Sequence, residues 1–218
     1  MSGKDVFLSV GGTANDRQEA FVTALEQRLR AEGLVPNTVG RNTFSSDAPL
    51  TTVERLMSAC SGTIVVALER TYFPQGVQKR GGDKEQAMGE TRLATPWNQI
   101  EAAMSYSRGL PLLVLVQEGI REEGLLEPGY DWYVHAVPLD VSALNSQAFN
   151  GILASWKEKL KPPGDQAVPA QDTAPLTPET LTIGQIIGAM RPAQLWSILA
   201  ACGGVIAVAF ALGAQLIG

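Results

Sequence analysis

Three short apolar runs constrain the fold of this chain more than any other feature. They occupy residues 6–10 (VFLSV), 63–68 (TIVVAL) and 112–116 (LLVLV). Short runs rich in β-branched and aliphatic residues are typical of strands that are buried on both faces of a parallel sheet. Amphipathic helical patterns lie between the runs. Strands that alternate with helices predict an α/β fold, with a doubly wound parallel sheet and helices on both of its faces.

Two polar pairs mark helix starts. Asn15 precedes Gln18 by three residues, and Thr51 precedes Glu54 by the same spacing. In such a capping box the two side chains satisfy backbone N–H groups at the start of a helix, so we predict that helices begin at these two positions. Residues 75–95 are polar and show no periodicity. We predict a mobile surface loop there.

A further helix is predicted before the run at residues 112–116. Ile100 and Met104 lie four residues apart, and we interpret them as part of its core face. Glu101, Ser105 and Arg108 share the opposite face by their spacing. This interpretation turns the polar side chains of the helix away from the core.

An uncharged stretch occupies residues 192–218, and within it residues 195–217 give 23 nearly continuous apolar positions. At about 1.5 Å per residue such a helix reaches about 34 Å, which is enough to cross a bilayer core of about 30 Å. Positive charges precede this stretch and none follows it. We therefore predict a single transmembrane helix with the N-terminal domain in the cytoplasm. Gly203, Ala207 and Ala211 recur every four residues, a spacing that favours close helix packing, so we expect a homo-oligomer.

Composition divides the chain into four parts. Residues 162–178 carry five prolines and few large apolar residues, which is typical of a linker. We predict a folded domain over residues 1–161, a proline-rich linker over 162–178, a juxtamembrane segment over 179–191 and the membrane helix over 192–218.

Charge and residue usage disfavour several classes of function. The net charge of −5 provides no basic surface of the kind that binds a phosphate backbone, so we predict no nucleic-acid partner. His135 is the sole histidine and lies in a strand-like segment, which disfavours a Ser-His-Asp or Cys-His mechanism. Cys60 and Cys202 lie in separate predicted helices, as expected in a reducing compartment. No Cys/His cluster has metal-ligand spacing, and we predict no metal.

Two candidate sites follow strands of the predicted sheet, because doubly wound sheets bind ligands beyond the carboxyl ends of their strands. In the first, Gly11 and Gly12 allow backbone N–H groups to approach a phosphate. The pattern G-x-G-x-x-G is absent, which disfavours an ordinary dinucleotide dehydrogenase. The second is Glu101, four residues after Trp97 at the start of a helix. A glutamate there either reaches a ligand or only complements the helix dipole.

The order of these motifs resembles the Toll/interleukin-1 receptor (TIR) domain and its nucleotide-binding relatives over about residues 5–160. The resemblance is carried by VFLSV, the loop Ala48-Pro49-Leu50, the helix TVERLMSAC, TIVVAL followed by Tyr72, and Trp97 with Glu101. It implies a flavodoxin-like sheet. The usual stretch in the family is W-C-x-x-E, whose glutamate is catalytic in NAD-cleaving members, so the resemblance implies that Glu101 is catalytic. Asn98 stands in place of the customary cysteine, and residues 75–95 separate Tyr72 from Trp97 more widely than usual.

Residues 181–213 resemble C-terminal membrane modules that are attached to bacterial defence and signalling domains. This second resemblance implies an effector of bacterial anti-phage immunity or signalling.

Three hypotheses for function remain open. The first is an enzyme that cleaves the nicotinamide–ribose bond of NAD, with Glu101 holding the ribose hydroxyls and stabilising an oxocarbenium-like charge. The second is a sensor that binds a cyclic or ADP-ribose-derived nucleotide and drives membrane disruption by the membrane helix. The third is a membrane-bound scaffold. In the first two, no cofactor is bound permanently and the ligand is NAD or a related nucleotide. The candidate ligand-binding residues are Ser9, Gly11, Gly12, Thr13, Arg41, Trp97 and Ser105.

Overall fold

A five-stranded parallel sheet organises residues 3–163, the part of the chain that this computed structural model describes. The strands of this part are β1 (Lys4–Val10), β2 (Leu34–Asn37), β3 (Thr63–Ala67), β4 (Thr71–Phe73), β5 (Gly76–Gln78), β6 (Gln86–Met88), β7 (Thr91–Leu93), β8 (Leu112–Gln117) and β9 (Tyr133–Val137). The large sheet has the order β2-β1-β3-β8-β9, and every neighbouring pair in it is parallel. The predicted α/β class and parallel sheet are confirmed.

The helices connect these strands. They are α1 (Asp16–Ala31), α2 (Pro49–Ser58), α3 (Pro96–Ser107) and α4 (Gln147–Glu158), with short 3-10 turns at Gly124–Leu126 and Val141–Asn145. The predicted cap of α1 by Asn15 is confirmed, while the reciprocal bond of Gln18 goes to Ala14, one residue before the position that a capping box uses. Asn15 Oδ1 accepts from the backbone N–H of Gln18 at 3.0 Å, while Gln18 Oε1 accepts from the N–H of Ala14 at 2.7 Å. These two bonds fix the point at which the chain turns from β1 into α1.

The second predicted capping box is wrong. Helix α2 begins at Pro49, and Ala48, the residue that precedes it, makes no side-chain cap bond. Proline has no N–H group and its fixed φ suits the first turn of a helix, so Pro49 starts the helix two residues before Thr51.

Hydrophobic layers cover both faces of the sheet. Helices α1 and α4 pack on one face, in a layer that includes Val6, Leu8, Phe21, Leu25, Ile64, Leu113, Phe149 and Leu153. Helices α2 and α3 pack on the other face, in a layer that includes Phe7, Val53, Met57, Val65, Ala67, Ala102 and Val114. Successive residues of β1 and β3 therefore belong to opposite layers, which is why both strands appear in the sequence as continuous apolar runs.

The order of the strands reverses direction beside β1. Phe7 of β1 lies opposite Asn37 of β2 on one side and opposite Thr63 of β3 on the other. The chain thus leaves β1 in one direction to form β2 and returns past it to form β3. A crevice forms at such a point, beyond the carboxyl ends of β1 and β3.

A β-hairpin occupies the region predicted as a surface loop, so that prediction is wrong. Strands β4 and β7 pair antiparallel, and β5 and β6 pair antiparallel in the same continuous register. Pro74 lies at the interruption between the two pairs, where its missing N–H cannot take part in the ladder. The hairpin escapes prediction because its strands have three residues each and include only one buried residue, Thr91, so their apolar pattern is weak.

Within residues 3–163, none of the helices has the length and apolar character needed to cross a bilayer. The predicted membrane helix at residues 192–218 lies outside the described residues, as do the predicted juxtamembrane segment and all of the linker after Pro163. These assignments, the cytoplasmic location and the homo-oligomer remain predictions from the sequence.

Candidate functional site

A pocket of about 160 Å³ lies at the carboxyl ends of β1 and β3. Its walls come from the loop after β1, the loop after β3 and the N-terminal turn of α3. They contribute Gly11, Gly12, Leu68, Glu69, Arg70, Thr95, Trp97 and Asn98. The pocket therefore lies at the reversal point of the sheet, where doubly wound folds bind ligands.

The loop after β1 runs close to the start of α3. A Cβ atom built on Gly11 would lie 3.0 Å from Thr95 Cγ2, whereas a Cβ on Gly12 would meet only Arg70 Nη1, at 3.9 Å. Glycine at position 11 thus permits a close backbone approach that a side chain would obstruct. Both predicted glycines line the pocket, but only Gly11 has little room for a side chain.

Helix α3 faces the sheet with its polar side, opposite to the orientation predicted from its sequence. Asn98, Glu101 and Ser105 are buried, whereas Ile100 is 40% exposed. The apolar pattern misleads because only part of it packs inward: Ala102 is fully buried and Met104 is partly buried against the core, whereas Ile100 is exposed. This orientation carries a carboxyl group and an amide into the interior beside the pocket.

Glu101 is buried in an environment that disfavours its charge. Glu101 is 8% exposed. Burial raises the pKa of its carboxyl from 4.5 to about 7, and a hydrogen bond with the Ser9 side chain opposes this rise. Desolvation is the dominant cause, since removing a carboxylate from water favours its protonated form. Glu101 lies one helical turn beyond Trp97 and is not itself part of the pocket wall. A carboxyl group that titrates near neutral pH beside a crevice is typical of a functional site.

Asn98 joins α3 to both central strands. Its side-chain Nδ2 donates to Ser9 Oγ at 3.1 Å, and it lies 3.5 Å from the Ser9 carbonyl oxygen and 3.4 Å from the Val66 carbonyl oxygen. The side chain is 1% exposed, yet its Oδ1 has no hydrogen-bond partner within the described residues. Ser9 is buried as well, so it supports Asn98 and Glu101 from beneath instead of lining the pocket.

The pocket wall carries one cationic side chain, Arg70, and one carboxylate, Glu69, whose Oε2 lies 3.5 Å from Arg92 Nε. Arg70 is exposed beside Gly12, whose carbonyl oxygen lies 3.4 Å from Arg70 Nη1, and within residues 3–163 its side chain forms no ion pair. The first turn of α3 carries no acidic residue, so the partial positive charge of its N-terminus is not neutralised locally. Arg70 and this helix end form an environment that favours an anionic group.

Two other predicted ligand residues are engaged elsewhere. Thr13 Oγ1 donates to Glu19 Oε2 at 2.6 Å. Arg41 donates two hydrogen bonds to the Glu19 carboxylate, at 2.8 and 3.0 Å, and one to Glu26 at 3.0 Å. Arg41, followed by Thr13, lowers the pKa of Glu19 to about 2. This cluster joins α1 to the loop after β2, and neither Thr13 nor Arg41 belongs to the pocket wall.

Ser105 lies in the core. It is fully buried and its hydroxyl forms a short hydrogen bond with Thr63 at the start of β3. The pocket is beyond the opposite end of that strand. Of the predicted residues, the structure thus places Gly11, Gly12 and Trp97 in the pocket wall, Ser9 and Glu101 beneath it, and Thr13, Arg41 and Ser105 away from it.

Sequence reasoning missed five residues of the wall: Glu69, Arg70, Thr95, Asn98 and Leu68. A signal for the first two was present, because they come directly after the predicted strand at residues 63–68. The rule that ligands bind beyond the ends of strands applies to β3 as well as to β1. Thr95 and Asn98 gave no such signal, since their positions depend on the inward orientation of α3.

A larger cavity of about 480 Å³ lies near the opposite edge of the sheet, beside the first residues of β8 and β9. Aromatic residues of this cavity include Tyr106, Trp132, Tyr133 and Trp156. Its position at the amino ends of the strands is not where parallel sheets bind nucleotides. Size alone therefore does not identify the functional site here.

Comparisons with known proteins leave the family unassigned. No family model matches the chain, and no curated protein matches its sequence. Among solved structures, the chain is similar to the CMP N-glycosidase BcmB of Clostridium botulinum, with 16% identity and a TM-score of 0.34 over 53% of this chain and 73% of that one. It is also similar to a conserved protein from Enterococcus faecalis V583, with 11% identity and a TM-score of 0.37 over 72% of this chain and 99% of that one. Likenesses this distant say nothing of activity, so the pocket's own residues carry the functional reasoning.

Proposed function

We propose that this domain binds a nucleotide at the pocket between β1 and β3 and cleaves its N-glycosidic bond with the help of Glu101. The observation that carries the proposal is the burial of Glu101 next to this pocket, which raises the pKa of its carboxyl to about 7. A carboxyl group held away from water on the ligand side of a parallel sheet is destabilising for the fold, and such groups are concentrated at functional sites.

The chemistry requires a negative charge near the anomeric carbon. When the N-glycosidic bond breaks, its electron pair leaves with the base and positive charge develops on the sugar ring. A buried carboxylate stabilises that charge more strongly than one in water, because little solvent screens it. Water then adds to the anomeric carbon and loses a proton. From NAD the products are nicotinamide, ADP-ribose and a proton; from a nucleoside monophosphate the departing base takes the proton, and the products are the free base and ribose 5-phosphate.

The pocket supports a nucleotide by the distribution of its groups. Arg70 and the N-terminus of α3 suit a phosphate, and the exposed ring of Trp97 offers a flat surface for a base. A volume of about 160 Å³ is smaller than the roughly 300–1,000 Å³ of sites that enclose a whole ligand. The pocket therefore holds the central part of the nucleotide, with the base and the phosphate at its mouth. We propose NAD as the substrate, cleaved at its nicotinamide–ribose bond.

A second candidate function is a nucleotide sensor without turnover. It is favoured by one observation, that Glu101 is 8% exposed and lies behind the pocket wall instead of within it. In this case the nucleotide would act through the predicted membrane helix at residues 192–218, as an effector of bacterial anti-phage defence. Under either candidate function, we propose that the domain is TIR-like.

Release of a free base distinguishes the candidates. The purified full chain is incubated with NAD and, separately, with AMP, CMP, GMP and UMP, and the products are separated by chromatography. We expect base release by the wild type and a loss of about 100-fold in Glu101→Gln, the order of magnitude for removing one charge-stabilising group. Glu118→Gln, at an exposed glutamate just after β8, is the matched control and should retain the rate. Nucleotide binding without base release would favour the sensor, and neither binding nor release would reject both.

A further inference from the structure

We infer that Asn98 determines the sugar specificity of the pocket, because its unpaired Oδ1 accepts a hydrogen bond from a ribose hydroxyl of the bound nucleotide. The inference depends on the proposed function, since it takes a nucleotide as the ligand, and it extends that function by naming the sugar. Ribonucleotides should then bind better than their deoxy counterparts.

The side chain of Asn98 carries a buried oxygen without a hydrogen-bond partner in the described part of the chain. This oxygen is Oδ1, and Asn98 as a whole is 1% exposed. Leaving a buried acceptor unpaired costs about 1–3 kcal/mol, so folded proteins rarely keep one without a reason. Asn98 also belongs to the wall of the pocket. Oδ1 is itself fully enclosed in this structure, so a ligand donor would satisfy it once the neighbouring wall residues move aside on binding.

Neighbouring carbonyl groups fix the orientation of the Asn98 side-chain amide. Nδ2 lies close to the Ser9 hydroxyl and to the carbonyl oxygens of Ser9 and Val66. A flipped amide would place Oδ1 against those two carbonyl oxygens, and oxygen cannot donate to them. The side chain is therefore fixed with its donor toward the strands. Its free group is an acceptor, which selects a ligand that brings a hydroxyl or N–H group.

The position of Asn98 favours the sugar as the donor. Trp97, next to it in the sequence, is 40% exposed, while Arg70 is exposed on the loop after β3. These two residues suit the base and the phosphate, and the ribose connects those groups in every nucleotide. Asn98 is the buried polar residue of the wall, and Ser9 contacts both Asn98 and Glu101. A ribose held by Asn98 would thus bring its anomeric carbon toward Glu101.

The test measures the affinity of the full chain for AMP and CMP and for the 2′-deoxy and 3′-deoxy forms of each. The parent protein is Glu101→Gln if the wild type releases base, and otherwise the wild type, so that no ligand is consumed. We expect one of the two deoxy forms to bind about tenfold more weakly than the ribonucleotide, as for a buried acceptor left unpaired. In Asn98→Ala this ratio should fall to about one.

Gln99→Ala is the matched control. Gln99 is the next amide on the same helix, but both ends of its side chain are bonded to the loop at Glu123 and Leu125, outside the pocket. Its ratio should equal that of the parent. Circular dichroism verifies that each variant is folded. The affinity ratio between ribonucleotide and deoxy forms in the parent protein tests the inference even if Asn98→Ala does not fold.

Each remaining outcome has a defined meaning. Equal affinity of the parent for all three forms would overturn the inference and assign Oδ1 to a pocket water only. If Asn98→Ala still binds the ribonucleotide more tightly than its deoxy form by the same ratio, another residue selects the sugar and the inference is overturned. Selective binding without base release would reject the proposed catalysis and leave the inference standing. Failure to bind any of the six probes would overturn the inference, while base release from NAD would still support the proposed function.

Discussion

Asn98 of α3 donates to the Ser9 hydroxyl oxygen of β1 at 3.1 Å, and this bond holds the start of α3 against the end of the strand. Glu101 follows one turn later and is buried by the same contact between helix and strand. Its raised pKa is thus a consequence of how α3 is seated, and it leads to two predictions about pH.

The first prediction is that Glu101 lowers the stability of the domain as the pH rises from about 5 to about 7. His135, whose pKa burial lowers, contributes in the opposite direction. The folded state holds the Glu101 proton up to a pKa of about 7, whereas the unfolded chain releases it near 4.5. The folded state binds more protons in this window, so the free energy of unfolding falls as the pH rises. A shift of this size corresponds to about 3 kcal/mol at most. Urea unfolding of the full chain with a domain-specific probe, such as tryptophan fluorescence, measures it at pH 5 and pH 8.

Glu101→Gln provides the control for this prediction, because it keeps the size of the side chain and cannot ionise. Its stability relative to the wild type should improve from pH 5 to pH 8 by the same amount. A difference between the two proteins that does not change with pH would mean that Glu101 does not titrate in this range.

The second prediction concerns the pH dependence of base release. The proposed role of Glu101 needs its ionised form, so the rate should rise with pH and reach half of its plateau near pH 7. Initial rates with NAD between pH 5 and pH 9 measure this limb. A rate that falls through pH 7 would show instead that the protonated carboxyl is the active form.

The third prediction compares two adjacent glycines. A Cβ at position 11 would lie 3.0 Å from the Thr95 side chain, so Gly11→Ala should narrow the pocket and cost about 1 kcal/mol of stability. A Cβ at position 12 has its nearest neighbour at 3.9 Å, so Gly12→Ala should be tolerated. Nucleotide affinity and thermal unfolding of both variants are compared. Equal loss of affinity in the two variants would contradict the assigned role of Gly11.

The fourth prediction tests the cation at the pocket. Arg70→Ala should weaken the binding of AMP about tenfold, the size expected for one partly exposed charge-assisted contact to phosphate. The loss should shrink at high salt, because salt screens exposed charges. Arg55→Ala is the control, since Arg55 is an exposed arginine of α2 that pairs with Asp47 outside the pocket. Titrations at low and high salt measure both. Equal effects of the two substitutions would indicate only a change in net charge.

The fifth prediction rests on the sequence of residues 192–218. The full chain should sediment with membranes and resist alkaline carbonate, whereas a chain that ends at Lys161 should stay in the supernatant. Val205→Arg combined with Val208→Arg should abolish membrane retention, because each arginine at the centre of a span costs about 2.5–3.5 kcal/mol. A full chain that remains in the supernatant would reject the membrane helix.

The part of the fold that could be predicted is the part whose side chains are buried on both faces. Val6 and Phe7 belong to opposite hydrophobic layers, so the run at residues 6–8 of β1 is continuously apolar and indicates a buried strand. Helix α3 could not be oriented in the same way. It buries Asn98 and Glu101 and exposes Ile100, an arrangement that opposes the hydrophobic pattern. Departures of this kind are expected at functional sites.

Arg41 shows a second limit of sequence reasoning. A cation in a loop after a strand is compatible with a ligand contact, but Glu19 and Glu26 already occupy its guanidinium. The pairing joins residues 22 and 15 positions apart and cannot be deduced without the fold. Arg70 forms no ion pair within the described residues and belongs to the pocket wall, so we propose for it the ligand contact that the sequence suggested for Arg41.

The hairpin of β4 to β7 leaves the domain just after Arg70 and returns just before Thr95, and both of these residues belong to the pocket wall. Its two ends are joined where the backbone N–H of Arg70 donates to the Leu93 carbonyl oxygen at 2.9 Å. The hairpin therefore has its base at the pocket and its tip, at residues 79–85, in solvent. For protein engineering, a fluorescent reporter can be attached at the exposed tip of this hairpin, whose base borders the candidate pocket. The hairpin can also be lengthened at its tip without changing the geometry at its base.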